Sequence, residues 1–197
     1  MAIDLPELLL PDPGAWRAWL AEHHATSEGV WLVLHKKGGQ VTTLTYPTAL
    51  DDALCVGWID GQAGRRDEGS SRQRFTPRRA RSRWSARNVQ HVARLEAEGR
   101  MLPGGRAQVE AAQADGRWDT AYAGPATATV PDDLAAALAA APRAAAWFEV
   151  LTSTNRYAIL YRIDEAKRTE TRARRIATFV GDLEQGRTLY PQRRSPG

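Results

Sequence analysis

Two periods run through this chain. Most apolar residues recur three and four positions apart, which marks helices with one buried face, while strand-like patterns are confined to three short places. Asp12 and Pro13 suit a helix start, with Trp16, Trp19 and Leu20 on one face and Gly29 as the stop. Val30 to Lys36 is nearly all apolar and rich in β-formers, so a strand is predicted there, followed by a turn at Gly38 and Gly39. Thr45 or Tyr46 opens a second helix to about Val56, with Ala49, Leu50, Ala53 and Leu54 inward and Pro47 in its first turn. Trp58 to Asp60 begins a second strand, and Ser71 to Thr76 reads as a third, antiparallel to it. Alternation puts Arg72, Arg74 and Thr76 on one face of that third strand, with Gln73 and Phe75 on the other.

Helical spacing takes over from there. Ser85 is a predicted cap for a helix to about Glu98, with Val89, Val92, Ala93 and Leu95 inward. A shorter helix spans Gly104 to Ala114. Residues 123–130 (AGPATATV) are small, uncharged and turn-prone, and read as a linker. Beyond it, helices are predicted at Pro131 with Leu134 and Leu138, around Trp147, Phe148 and Leu151, from Ser153 to about Ala166, and from Thr169 to Gly186. The predicted class is α+β: a small antiparallel sheet of about three strands with packed helices, then an all-helical C-terminal part. The predicted division is residues 1–122, the linker 123–130, and residues 131–197.

Charge sharpens this picture at one place. Residues 65–88 hold nine arginines (65, 66, 72, 74, 78, 79, 81, 83 and 87) against Asp67 and Glu68, a net of +7, whereas the whole chain of 197 residues carries only +4. Residues 156–175 hold seven bases against three acids, a further +4, so the rest of the chain sums to −7. Such segregation favours an anionic partner over mere solubility. Of the 27 basic residues only Lys36, Lys37 and Lys167 are lysines. Arginine is the better bidentate binder of carboxylate and phosphate, although an alanine- and arginine-rich composition has the same effect.

Several chemistries find no support. There is no phosphate-binding glycine loop, dinucleotide fingerprint or nucleophile elbow, and no zinc-finger or RNA-recognition signature. His23, His24, His35 and His91 lack metal-ligand spacing, and the single cysteine, Cys55, sits in an apolar run that reads as core. No cofactor is called for. The N-terminus lacks the basic segment of a signal peptide, and no apolar stretch reaches the length of a membrane span, so a cytoplasmic protein without membrane insertion is expected.

Longer motifs resemble a known family. They are Glu28-Gly29-Val30-Trp31 with Lys36-Lys37, Ala53 to Gly61 (ALCVGWIDG), Arg74-Phe75-Thr76-Pro77-Arg78, and Ser82-x-Trp84-Ser85-x-x-Asn88. Later ones are Glu98 to Met101, Asp115 to Trp118 with Ala121-Tyr122, and Ala166-Lys167-x-x-Glu170-Thr171-Arg172-x-Arg174-Arg175-Ile176. Together they resemble the YdeI/OmpD-associated, or bacteriocin-protection, family from Trp16 to about Pro191. Val56 departs from the aromatic residue usual before Gly-Trp-Ile-Asp, a change of packing. The resemblance implies a role in toxin tolerance or stress, and no reaction.

The residues themselves suggest a ligand site of Lys36, Asp60, Arg74, Thr76, Arg78, Ser82, Trp84, Ser85 and Asn88. It would hold an anionic small molecule or a nucleic-acid phosphate at a helix N-terminus flanked by arginines. The competing reading is structural: an Asp60–Arg74 bridge, a Ser85 cap and Trp84 in the core. An enzymatic alternative makes Asp60 a general base in a detoxifying enzyme. A third makes the basic C-terminal helices a partner-binding surface, with Arg168, Arg172 and Arg175 on one face and Glu170 paired with Arg174.

Overall fold

A computed structural model of the protein describes residues 4–196. Its class is α+β, with eight helices and a four-stranded mixed sheet among the described residues. The chain divides into two compact units, one ending at Ala121 and the other beginning at Tyr122.

In the first unit the elements run β1 (Glu7–Leu8), α1 (Pro13–His23), β2 (Val30–His35), α2 (Tyr46–Cys55), β3 (Trp58–Arg65), β4 (Ser70–Pro77), α3 (Ala86–Ala97) and α4 (Pro103–Ala114). The sheet order is β1-β2-β4-β3. β4 pairs antiparallel with β3, as expected, and also with β2, while β1 adds a fourth strand parallel to β2. The expectation of about three strands therefore missed β1. Two residues beside Pro6 carry no periodic signal, and their pairing is decided by the edge of β2. The first helix ends at His23 rather than Gly29, and Ala93 is exposed instead of inward.

The core of this unit lies on one face of the sheet. Val30, Leu32 and Leu34 of β2, Phe75 of β4 and Trp58 of β3 pack with Trp16, Leu20, Leu50, Leu54, Val92 and Leu95 from the helices. Trp16 is fully buried and donates through Nε1 to the Ala49 carbonyl at 3.1 Å, which satisfies the indole while tying α1 to α2. The Asp12 side chain caps α1 by accepting from Ala15 N, and Ser85 caps α3 by accepting from Asn88 N. Gly57 turns α2 into β3 at φ 86°, and a Cβ there would lie 2.8 Å from the Gly104 carbonyl, so only glycine fits.

The second unit contains α5 (Asp132–Ala139), α6 (Pro142–Val150), α7 (Ser153–Asp164) and α8 (Thr169–Glu184) around a separate core of Leu134, Leu138, Phe148, Ile159, Ile163, Ile176, Phe179 and Leu183. The predicted linker does not hang free: Gly124 accepts from Thr127 N and Ala128 N, and Ala128 and Val130 pack on this core. Buried Asn155 donates to the Tyr190 carbonyl and accepts from Tyr190 N, pinning the chain after α8 onto α7. Among the described residues, no helix is long and apolar enough to cross a membrane.

One acid–arginine network braces the helices of the first unit. Asp51 accepts from Arg94 at 2.7 Å and from His91 at 2.9 Å, and Asp52 accepts from Arg100 at 2.9 Å and Arg17 at 3.4 Å. Burial alone would raise Asp51, but the bonds from Arg94 and His91 outweigh it and hold this carboxyl below the usual range. At Asp52 burial wins and raises the carboxyl. Because the folded Asp51 titrates below its unfolded value, its contribution is present above the unfolded pKa and is lost as pH falls through the folded one. Asp51→Asn is expected to lower stability at neutral pH by about 1–2 kcal/mol, the worth of partly screened bonds to charged groups. Urea unfolding should show that gap closing towards about pH 3, below the ordinary aspartate pKa; a gap unchanged by acid would contradict the assignment.

Candidate basic ligand site

The site is set by β4. Phe75 and Gln73 face the core, so Arg72, Arg74 and Thr76 point to the other side of the sheet. Register places Trp31 of β2 opposite Arg74, and Ile59 and Gly64 of β3 opposite Thr76 and Arg72. Between Asp60 and Ala63 the register shifts, so that Gly61 and Gln62 together oppose Arg74. This bulge lets both Asp60 and Ala63 face as Phe75 and Gln73 do, and Gln73 Nε2 holds it by donating to the Gly61 carbonyl at 2.8 Å. The Arg74 stem lies over Gly61 and the Arg72 stem over Gly64, where a Cβ would stand 3.6 Å and 3.1 Å from them.

A concavity of about 310 Å³ opens beside the bulge, lined by Gly61, Gln62, Arg74, Thr76, Pro77, Arg79 and Ser82. Its size lies at the low end of small-ligand clefts. Ser82 shapes the rim: its Oγ accepts from Arg79 N at 2.9 Å, and Ser82 N donates to the Arg79 carbonyl at 2.8 Å. Arg74 and Arg79 make no side-chain hydrogen bond or ion pair among the described residues, and the Arg74 Nε is buried without a partner. Arg65, Arg81 and Arg87 likewise have no ion pair among the described residues, whereas other arginines of this unit are paired. Arg17, Arg94, Arg100, Arg106 and Arg117 each reach a carboxylate within 3.4 Å.

The nine residues singled out from the sequence therefore separate. Arg74, Thr76 and Ser82 come together at the concavity, and Arg79 joins them. Arg78 and Trp84 are buried: the Arg78 guanidinium lies 3.4 Å from the centre of the Trp84 ring, and its Nη1 donates to the Arg83 carbonyl. Trp118 packs edge-on against Trp84 at 4.9 Å. Asn88 is buried in α3, with Ser85 as the cap before it. Lys36 is drawn to the far end of the β3–β4 hairpin, where its Nζ donates to the Asp67 carbonyl at 2.8 Å. Asp60 stands on the core-side face and accepts from Tyr46 Oη at 2.8 Å, so it makes no bridge with Arg74. What sequence reasoning missed was Arg79, whose exposed side chain is one of several similar arginines; only the turn after Pro77 brings it back beside Arg74.

Burial pushes the Cys55 thiol up to about 11, so it stays protonated at neutral pH. No group of three His, Cys, Asp or Glu side chains is placed to hold a metal among the described residues. On the C-terminal helices Arg172 is held by Asp133 at 2.5 and 2.9 Å, and Arg175 by Glu165 and the Arg162 carbonyl. The Arg172 bond keeps the Asp133 carboxyl below its usual range. The expected Glu170–Arg174 pair does not form.

Two substitutions separate core from site. Trp84→Ala should cost about 3–5 kcal/mol, as for a large aromatic removed from a packed interior, whereas Arg74→Ala should stay within about 0.5 kcal/mol, as for a partly exposed residue without a partner. Chemical denaturation of both variants checks this, and equal losses would show that Arg74 is a structural residue.

No curated protein and no solved structure matches the chain. Residues 8–108 match the family model described as "Domain of unknown function (DUF8412)", and residues 127–186 match the one described as "Bacteriocin-protection, YdeI or OmpD-Associated". The resemblance expected from Trp16 to Pro191 is thus matched over the C-terminal part, while the motifs from Glu28 to Asn88 fall in the other family's span. The chain belongs to the DUF8412 family, whose model spans just over half of it, and its residues 127–186 are similar to the bacteriocin-protection, YdeI or OmpD-associated family.

Proposed function

We propose that this is a protection protein that binds an anionic, phosphate-bearing ligand on the second face of its sheet. The role follows the family description of residues 127–186. The ligand class follows one observation: Arg74 and Arg79 border a common concavity, and neither has a carboxylate partner among the described residues. A cation beside a polar concavity gains most from an anion that supplies the missing acceptors, and a guanidinium does so with directed N–H groups. Thr76 and Ser82 add hydroxyl groups at the same rim. Asp60 has no part in this reading, because it faces the other way and is held by Tyr46. A general base acting beside the arginines would have to share their face, so the enzymatic alternative lacks its geometry.

Calorimetric titration with inorganic phosphate and with a nucleoside monophosphate is the test. Saturable binding that weakens with salt is expected. Arg74→Ala should weaken it by about 1.5–3 kcal/mol, the range for a hydrogen bond to a charged group, which is roughly 10- to 100-fold. Arg79→Ala should act in the same direction. Asp60→Asn should leave it unchanged. Absence of saturable binding by the unaltered protein would remove the proposal.

A further inference from the structure

We infer that the ligand of this face is single-stranded nucleic acid, running along β4 with its phosphates on the arginines and a base against Trp31 of the neighbouring β2. The inference rests on the anion-binding reading above and names the class of its ligand. It is carried by how the cations are arranged. Arg72 and Arg74 are two residues apart on one face of a strand, so their Cα atoms lie about 7 Å apart. That step is comparable to the spacing of neighbouring phosphates along a single strand. Arg79 borders the same concavity as Arg74, in the turn after β4. Of these three, Arg74 and Arg79 have no ion pair among the described residues. A row of cations along one strand fits a polyanion, whose charges repeat at a fixed step.

The second element is aromatic. Trp31 lies directly opposite Arg74 in the sheet and is only partly buried, and the Arg72 guanidinium lies over its ring at 4.9 Å. Indole and guanidinium planes are the surfaces on which unpaired bases stack, and stacking tolerates any base. An aromatic ring among arginines suits splayed bases, whose faces a duplex keeps stacked on one another. The strand β1 supplies the opposing charge. Glu7 shares the face of Trp31, bonds Arg66 Nε at 2.8 Å and stands 3.8 Å from Arg72. It is the carboxylate that a bound phosphate would compete with, so its removal should help binding.

Fluorescence anisotropy of labelled 12-mers tests this on the full chain, with oligo-dT and oligo-U as the two arms and a duplex, poly-glutamate and inorganic phosphate as competitors. Both single strands are expected to bind, and their ratio tells which sugar is favoured. Three phosphate contacts predict a log–log salt slope of about −2. Arg74→Ala should weaken binding by roughly 10-fold or more. Trp31→Leu should weaken it by roughly 5-fold or more while Trp31→Phe stays close to the unaltered protein, because a phenyl ring still stacks. Glu7→Gln should tighten binding, a gain that misfolding does not produce. The inference is overturned if neither single strand binds, or if duplex or poly-glutamate competes equally well. In those cases Arg74-dependent binding of inorganic phosphate would leave the small-anion reading standing, and loss of that too would remove both.

Discussion

Burial of Phe75 is the interaction from which the rest of the first unit follows. It is fully buried, with Trp16 at 5.7 Å, and stands opposite Val30 in the sheet. A phenyl ring taken wholly out of water contributes about 1.5–3 kcal/mol. In a strand that preference acts on every neighbour, since a shift of one residue would bring Arg74 and Thr76 into the core and expose Phe75. The core therefore dictates which arginines meet solvent. The basic face is a consequence of how β4 is anchored, and no separate interaction between the arginines has to hold it open.

The bulge in β3 is the second constraint. Without it, Asp60 and Ala63 would fall on opposite faces, because they are an odd number of residues apart. With it, both match the core-side residues of β4, and the extra residue leaves bare backbone at Gly61 opposite Arg74. Glycine at 64 leaves room for the Arg72 side chain to lie close across β3, and the Arg74 stem lies at ordinary contact distance over Gly61. Hence the Arg74 guanidinium is positioned by packing of its methylene stem while its charge remains unpaired, whereas Arg72 stands 3.8 Å from Glu7. This separation of stem and head is what long basic side chains do at an apolar boundary.

Much of this was legible in the residues and some was not, for physical reasons. The strand at 30–35, the caps Asp12 and Ser85, Pro47 in the first turn of α2 and the alternation of β4 all rest on local rules, and local rules are visible in sequence. Strand β1 was not, since two residues cannot display a period. Nor was the bulge, which depends on the register of a neighbouring strand. The sharpest miss concerns Arg78. It sits in a run of charges that reads as surface, yet it stacks in the interior on Trp84, for which a core position was one of the two readings, with Trp118 closing the edge. A buried guanidinium on an indole has no distinct sequence signature, because its partner lies six residues away and its burial is supplied by residues after α4.

That pair also clarifies the meaning of the arginine-rich segment. Arg74 and Arg78 are four residues apart and would look equivalent in any count of charge. One is spent on stacking and on the carbonyl of Arg83, and its burial argues that it shapes the turn between β4 and α3. The other lies across a glycine with its Nε unmet. A cation held rigidly by its stem beside a concavity has already lost much of the rotamer freedom that binding would otherwise cost. The arginines that matter for a ligand are thus those the fold immobilises without neutralising, and within β4 that condition is met most fully by Arg74.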